Sequence, residues 1–241
     1  MLVYEIPPER RTHLGGLMTA LAQCGLTAEV NAAGGWRDAT EKDRTIICFQ
    51  RDGVPTAETI VLQGGDADRA EATFRQLGSD VWIRPSVGTS GRDVVHVTTS
   101  EKARAIARSY THRPEPWLMS RDAGNLTARG ERQSLRIVIL GDRPLWAVEH
   151  IQPNADEPTN EAAGAVSTPV PLENLPASLI EAAVAAVRSV GLRFGGVDLA
   201  SATCSVFEVN VHPLLLPERH LDTVAVPWVE DQLQSIELTP V

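Results

Sequence analysis

Cysteine is scarce in this chain, and its three cysteines form no pairing pattern. Cys24, Cys48 and Cys204 are far apart and include no Cys-x-x-Cys pair, so neither a disulfide framework nor a zinc site is indicated. Long apolar runs are also lacking, because no stretch reaches the roughly 18 residues of a membrane span. The first ten residues carry acid and proline where a secretory leader is apolar. We therefore expect a reducing, cytoplasmic setting without a membrane anchor.

Positive charge is the other shortage. The chain has 22 Lys and Arg against 31 Asp and Glu, a net charge of -9. Proteins that grip nucleic acid need a surplus of cationic side chains, so nucleic acid is excluded as the main partner. A local basic pocket for one nucleotide is still compatible with this balance. With 241 residues and 43% hydrophobic content, the chain is long enough for one large or two small globular domains.

Near the carboxyl end, two β-rich runs carry a distinctive set of polar residues. Residues 197–199 and 206–210, joined by a short polar segment, predict an antiparallel strand pair. Period-two alternation places Glu208 and Asn210 on one face, and Asp198 can face them from the neighbouring strand. All three offer oxygen donors, which suit a hard cation such as Mg²⁺. The alternative is a solvated strand face that merely carries polar residues.

Apolar periodicity and turn residues predict a mixed succession of helices and strands. Thr40 with Asp43 resembles a capping box that starts the second helix, residues 32–35 read as a closing turn, and residues 124–133 and 152–168 read as loops. The predicted helices are 13–24, 40–51, 67–77, 100–110, 176–190 and 226–236, with Gly53 ending the second and Ser100 capping the fourth. The other predicted strands are 2–6, 27–31, 59–62, 81–84, 94–97, 117–119, 135–140 and 145–149.

A glycine-bearing loop separates the strands at 81–84 and 94–97. Gly88 and Gly91 lie in this loop, so the segment predicts a hairpin with a mobile tip. Glycines allow backbone N–H groups to approach phosphate oxygens closely. The alternative is a hairpin tip with no ligand.

Five fragments occur in an order that resembles the ATP-grasp superfamily of carboxylate–amine ligases, specifically its RimK-like glutamate-ligase branch. The fragments lie at residues 41–43, 53–56, 81–91, 135–142, and 195–199 with 207–210, so the likeness spans about Lys42 to Pro213. The resemblance implies an α+β, ATP-grasp fold in which two α+β subdomains clamp ATP. It also implies a shortened N-terminal α/β unit at residues 1–40, a small or lid subdomain at 41–120 and a C-terminal subdomain with the metal site at 121–241.

The resemblance also assigns roles to cationic residues. Lys42 and Arg84 would contact the ATP phosphates, although the family normally has lysine at the position of Arg84. Arg136 would steady the transferred phosphoryl group, although Leu135 departs from the acidic residue that commonly precedes this arginine. A surface lysine and a strand arginine paired with an acid are the structural alternatives for Lys42 and Arg136. The loop formed by Gly88, Thr89, Ser90 and Gly91 would close over the phosphates.

For the rest of the nucleotide, the resemblance places adenine against Trp117, Leu118 and Met119. Asp122 would take the ribose hydroxyls. The alternatives are a core position for Trp117 and a plain surface role for Asp122. Asp198, Glu208 and Asn210 would hold Mg²⁺, with Mn²⁺ as the other candidate ion.

The predicted activity is ATP-dependent amide or peptide bond formation through an acyl phosphate, on a small-molecule or peptide substrate with a carboxylate and an amine. Asn160 and His212 are the candidate substrate residues. In the glutamate-adding relatives that the chain resembles, this loop holds the incoming amino acid with arginine and asparagine. Residues 149–165 keep Asn160 and Gly164 but contain no arginine, so we expect an acceptor different from glutamate. Residues 1–40 are too few for the full preceding domain of relatives, and a homodimer is the simplest supplement. A nucleotide-binding accessory module without turnover and an ATP-grasp kinase are the alternative functions.

Overall fold

The computed structural model of the protein describes residues 33–88, 91, 93–213 and 220–237, together with residues 16, 20 and 23. The predicted strands at 2–6 and 27–31 and most of the predicted helix at 13–24 lie outside the described residues. Across the described part, helices and two antiparallel sheets alternate, and the fold class is α+β as predicted. The predicted division at residues 40 and 120 stays a prediction.

Two helices come first, α1 (Ala33–Thr40) and α2 (Lys42–Asp52). The predicted turn at residues 32–35 is wrong from residue 33 onward, because Gly35 belongs to α1. A Cβ at Gly35 would lie 2.8 Å from the carbonyl oxygen of Gly191, so glycine serves close packing there. The predicted capping box is also wrong, since the Thr40 hydroxyl donates to the Trp36 carbonyl at 2.7 Å. Gly53 ends α2, as predicted, and adopts the left-handed conformation.

The smaller sheet has four antiparallel strands in the order β1-β4-β2-β3. They are β1 (Thr59–Leu62), β2 (Val81–Pro85), β3 (Val95–Val97) and β4 (Trp117–Arg121). Two amphipathic helices, α3 (Ala67–Gln76) and α4 (Ser100–Ser109), contribute to the core of this sheet. The cap of α4 is Thr99, whose hydroxyl accepts from the Lys102 N–H, so the predicted cap at Ser100 is off by one residue.

The larger sheet has five antiparallel strands in the order β7-β6-β5-β8-β9. Helix α5 (Ala177–Ser189) lies between β7 and β8 in the chain, and 3₁₀ turns occupy Glu161–Ala163 and Leu172–Asn174. The predicted loop at 152–168 is wrong at the 3₁₀ turn Glu161–Ala163 and at β7. The predicted loop at 124–133 ends earlier than expected, because β5 begins at Arg132. The strands are β5 (Arg132–Leu140), β6 (Arg143–Gln152), β7 (Val166–Pro169), β8 (Phe194–Leu199) and β9 (Val206–Asn210).

The two faces of the larger sheet differ in chemistry. One face packs its apolar side chains against α5 and α2, where Phe49 and Ile137 are fully buried. On the other face, a π-helical turn (Leu221–Ala225) and helix α6 (Val226–Glu237) contribute Val224 and Trp228 to a small apolar cluster with Val138. Most of the other side chains on that second face are polar, including Ser134, Arg136 and His150. Among the described residues, the helices are too short or too polar to cross a lipid bilayer.

Candidate active site

The polar half of the larger sheet brings three predicted site residues into one row. Arg136 on β5 lies opposite Asp198 on β8, and Asp198 lies opposite Glu208 on β9. Directly opposed residues of antiparallel strands point to the same face. Asn210 lies two residues along from Glu208, opposite Gly196, and therefore shares this face. The antiparallel pairing of β8 with β9 that the sequence predicts is confirmed.

Arg136 and Asp198 form a two-pronged ion pair. The Nε and Nη2 atoms of Arg136 donate to the two Asp198 carboxylate oxygens at 2.6 and 2.7 Å, and Asn210 Nδ2 donates to Asp198 Oδ2 at 3.0 Å. The charge of Asp198 outweighs burial and raises the pKa of Arg136. A Cβ at Gly196 would lie 2.9 Å from Pro213, so glycine makes room for this proline, and it would be in ordinary van der Waals contact with Arg136 Cδ at 3.6 Å.

Glu208 lies near three cations, Lys42 from helix α2, Arg84 from the smaller sheet and Arg136 from the larger sheet. Lys42 Nζ, at the first turn of α2, lies 3.6 Å from Glu208 Oε2, and Arg84 Nη2 donates to the Phe207 carbonyl at 3.1 Å. Burial by itself raises the pKa of Glu208, but the charges of Lys42, Arg84 and Arg136 outweigh it and leave that pKa below its ordinary value.

Arg84 itself pays a desolvation cost. Burial lowers its pKa, and its Nε has no hydrogen-bond partner within the described part of the chain. Buried polar groups are normally paired, so this donor suits an anion that approaches Arg84.

The glycine loop is tied to two other segments. The Lys42 N–H donates to the Ser86 carbonyl at 3.0 Å, and Lys42 Nζ donates to the Gly88 carbonyl at 2.9 Å. Gly91 has a φ of 68°, and a Cβ there would lie 3.4 Å from Asn160 Cβ. Helix α2 therefore holds the first half of the loop, and the β6–β7 connection lies against Gly91. Thr89 and Ser90 lie outside the described residues.

The three predicted adenine-binding side chains are buried in the protein interior. Trp117, Leu118 and Met119 are each at most 1% exposed, and the Trp117 ring stacks on Tyr110 with 5.0 Å between centroids. Their strand, β4, is paired on both sides. The geometry favours the core alternative for Trp117 and does not place these side chains beside the row of Arg136.

Asp122 belongs to a network that joins the two sheets. It accepts from Trp82 Nε1 at 2.8 Å and from the buried Arg132 at 2.6 Å, and the Gly124 N–H donates to its other oxygen at 2.7 Å. Burial raises the pKa of Asp122, but these donors and the charge of Arg132 leave it lowered. The carboxylate predicted to take ribose hydroxyls is thus already well supplied with donors.

His96 extends this network and was missed from the sequence. Its ring stacks on Trp82, and its two nitrogens lie 2.6 Å from Asp80 and 2.7 Å from Asp156. Ligand atoms of Asp80, His96 and Asp122 lie within 4.8 Å of one another. Because Asp122 already binds Arg132, we assign this cluster to ion pairing between the sheets.

The two predicted substrate residues take different positions. Asn160 caps the 3₁₀ turn that follows it, since its Oδ1 accepts from the Ala162 N–H at 2.8 Å. His212 lies edge-on to the Trp36 ring, with centroids 5.5 Å apart. A further histidine, His150, lies on the polar face of the larger sheet and was also missed. Period-two alternation along residues 146–152 is the signal that identifies its face.

The chemistry of the row fits a metal-bound nucleotide. Asp198, Glu208 and Asn210 supply carboxylate and amide oxygens, the donor types that Mg²⁺ prefers. Lys42, Arg84 and Arg136 supply three positive charges, and the unpartnered Nε of Arg84 adds a donor that an anion can satisfy. A nucleoside triphosphate with its ion requires this combination of cations and oxygen donors in one place.

Residues 55–214 match the family model described as the ATP-grasp domain of prokaryotic glutathione synthetase. Among curated relatives, a probable alpha-L-glutamate ligase of Rhodopirellula baltica is 26% identical over 185 residues, covering 76% of this chain and 44% of the relative. The chain therefore spans less than half the length of that relative.

Solved structures resemble the fold. D-cycloserine synthetase DcsG superposes with a TM-score of 0.68 at 16% identity, covering 94% of this chain and 80% of the other. The ATP-grasp ligase PsnB complexed with minimal precursor, Mg and ADP gives 0.67 at 16% identity, covering 95% and 69%. These likenesses show the ATP-grasp fold. The family model matches about two thirds of this chain, which therefore belongs to the ATP-grasp family of prokaryotic glutathione synthetase.

Proposed function

We propose that the protein is an ATP-dependent ligase that joins a carboxylate to an amine through an acyl phosphate, as a member of the RimK-like branch. The observation that carries the proposal is the convergence of Lys42, Arg84 and Arg136 on Asp198 and Glu208. Three cations beside two carboxylates leave one excess positive charge for a polyanionic ligand. ATP with Mg²⁺ is the proposed cofactor, with Mn²⁺ as the other candidate ion.

In the first step, a carboxylate oxygen of the substrate attacks the γ-phosphorus of ATP, and ADP leaves. Lys42 and Arg84 hold the phosphate chain, and Arg136 offsets the charge that develops on the transferred group. Fixed positive charge at that position lowers the barrier by several kcal/mol, about what one oxyanion-type donor contributes. Asp198, Glu208 and Asn210 would hold the ion, which when bound neutralises phosphate oxygens.

In the second step, the amine attacks the acyl carbon, and phosphate leaves. Water is the competing nucleophile, so the intermediate needs a closed site. The position of Gly91, where an added Cβ would lie 3.4 Å from Asn160 Cβ in the β6–β7 connection, supports a closing role for the loop formed by Gly88, Thr89, Ser90 and Gly91. The acceptor is proposed to differ from glutamate, and homodimer formation is proposed as the supplement to the short N-terminal unit.

The test is ADP release from Mg·ATP with a panel of carboxylates, amino acids and short peptides, each with and without hydroxylamine. Hydroxylamine converts an acyl phosphate into a stable hydroxamate. We expect ADP and hydroxamate with at least one carboxylate, and neither with Glu208→Ala. Glu173→Ala, at an exposed glutamate, is the matched control and should behave as wild type.

Two outcomes point to other functions. Nucleotide binding without ADP release above that of Glu208→Ala would identify an accessory module. A phosphorylated product that is stable to hydroxylamine would identify a kinase. Either result would overturn the ligase proposal.

A further inference from the structure

A second polar row lies next to the row of Arg136 on the same face of the larger sheet. Ser134 on β5 is opposite His150 on β6, and His150 is opposite Ser167 on β7. Because Ser134 precedes Arg136 by two residues, the rows are separated by roughly 7 Å along the strands. His150 therefore lies beside the site without belonging to the proposed ion ligands.

The hydrogen bonds of this row define one tautomer of His150. The Ser167 hydroxyl donates to a Glu161 carboxylate oxygen. A hydroxyl has only one proton, so Ser167 Oγ must accept from His150 Nδ1, which lies 2.7 Å away. The neutral imidazole then carries its lone pair on Nε2. No hydrogen-bond partner of Nε2 occurs among the described residues.

Electrostatics around the ring agree with a neutral imidazole. Burial lowers the pKa of His150. The charges that reach it from neighbouring elements act in both directions, since Asp198 on β8 and Glu161 on the 3₁₀ turn raise that pKa and Arg136 on β5 lowers it. The net shift is downward, so the ring is available as a base near neutral pH.

The adjoining connection has an acidic composition. Residues 153–165 contain Asp156, Glu157 and Glu161 and include neither lysine nor arginine. Such a segment attracts a positively charged amine and offers no cationic side chain to a carboxylate beside it. An ammonium group must lose a proton before its nitrogen can attack, so a base is required on this side of the site.

We infer that His150, held by Ser167 and Glu161, is the catalytic base that accepts a proton from the acceptor ammonium. The inference rests on the proposed function. The ammonium first gives one proton to His150 Nε2. The freed lone pair then forms the C–N bond as the C–O bond to phosphate breaks. The departing phosphate takes the second nitrogen proton, which leaves a neutral amide and hydrogen phosphate.

The experiment compares two nucleophiles on the full-length protein with a carboxylate that releases ADP. Hydroxylamine is largely uncharged near pH 7 and needs no deprotonation, whereas an acceptor amine of the panel is protonated. We expect His150→Gln to lower amide formation by about 10²-fold or more and to leave hydroxamate formation nearly unchanged. Ser167→Ala and Glu161→Gln should lower amide formation less. His112→Gln, at an exposed histidine, is the control.

A second measurement is independent of substrate. Long-range ¹H–¹⁵N spectra of histidine-labelled protein, assigned with His150→Gln, should show His150 protonated on Nδ1 at pH 7. Protonation on Nε2 alone, or an equal loss of amide and hydroxamate in His150→Gln, would overturn the inference. An absence of ADP and hydroxamate in wild type would instead refute the proposed function.

Discussion

Arg136 donates hydrogen bonds to both carboxylate oxygens of Asp198, at 2.6 and 2.7 Å. A residue proposed to steady the phosphoryl group is thereby paired with a residue proposed to bind the ion. Charge-assisted forks of this kind are strong and geometrically specific. An ion that takes an Asp198 oxygen competes with the guanidinium for it, so ion binding and the orientation of Arg136 should be coupled.

Removal of the Arg136 guanidinium should affect turnover more than folding. We expect Arg136→Ala to lower ADP release by about 10²-fold or more, as for other residues that stabilise developing charge. Unfolding free energy should fall by only about 1 to 3 kcal/mol, because the pair is partly hydrated and Asp198 retains Asn210. Coupled ADP assays and urea denaturation measure the two effects. Arg188→Ala removes an exposed partner of Asp142 and should change neither, whereas an unfolded Arg136→Ala would indicate a structural cluster.

Nucleotide binding should require the ion ligands. At 100 times the dissociation constant, Mg·ATP should stabilise the wild-type protein by about 2.7 kcal/mol. Glu208→Gln and Asn210→Ala should show much smaller stabilisation, and ATP with EDTA should behave similarly. Thermal unfolding with and without nucleotide measures this difference. Asp142→Asn, at an exposed aspartate, is the control, and an undiminished response of Glu208→Gln would count against the assigned ion site.

The sequence was most informative where local pattern and tertiary structure coincide. Alternation of polar and apolar residues predicts the strands of the β8–β9 hairpin. The end of a helical pattern predicts that the second helix stops at Gly53. The row of Arg136, Asp198 and Glu208 could be predicted in part, because alternation along each strand indicates the face on which each residue lies. Their proximity depended on strand order, which a single sequence does not define.

The features that could not be predicted depend on contacts between distant segments of the chain. Gly35 reads as a turn residue, yet it lies within a helix because the helix packs closely on Gly191. The sequence around Trp117 is equally compatible with a wall of a base-binding slot and with the core, and its burial together with the stacking on Tyr110 distinguishes the two. His96 and Arg132 have no local motif, since partners such as Asp156 and Asp122 lie on other segments of the chain.

Acid should destabilise the protein partly through Glu208. The pKa of Glu208 is held below its ordinary value of 4.5 because nearby cations outweigh burial. The unfolded chain therefore binds the proton more readily, and this contribution is present above about pH 4.5 and is lost as pH falls through the folded pKa. In metal-free protein, the stability deficit of Glu208→Gln should be constant from pH 7 to about pH 5 and shrink as the pH falls below about 4.5. Urea denaturation across this range measures it, and a deficit independent of pH would contradict the assignment.

Asp122 offers a test between a structural and a nucleotide role. Its carboxylate accepts from Trp82 and from Arg132, which is only 4% exposed. Breaking such a pair leaves a buried charge uncompensated, so Asp122→Asn should lower the unfolding free energy by about 3 kcal/mol. The Arg132→Met/Asp122→Asn double variant should lose less than the sum of the single losses. A ribose contact would instead raise the KM for ATP with stability unchanged. Urea denaturation and ATP kinetics on the same variants separate the two roles.

Gly91 should matter through its neighbour as well as its backbone. Gly91 and Gly130 both have positive φ, 68° and 80°, so alanine at either position costs about 1 to 2 kcal/mol of backbone strain. Only at Gly91 does a Cβ meet another segment, Asn160 at 3.4 Å, whereas Gly130 has open space. At 3.4 Å this Cβ would already be in van der Waals contact with Asn160, so a loop that relieves the backbone strain of Gly91→Ala can move only away from the β6–β7 connection. The KM for Mg·ATP should therefore rise severalfold, and ATP hydrolysis should increase relative to amide formation. Gly130→Ala should lose similar stability with normal kinetics. Equal kinetic effects of the two substitutions would show that backbone strain, rather than contact between the loops, limits activity.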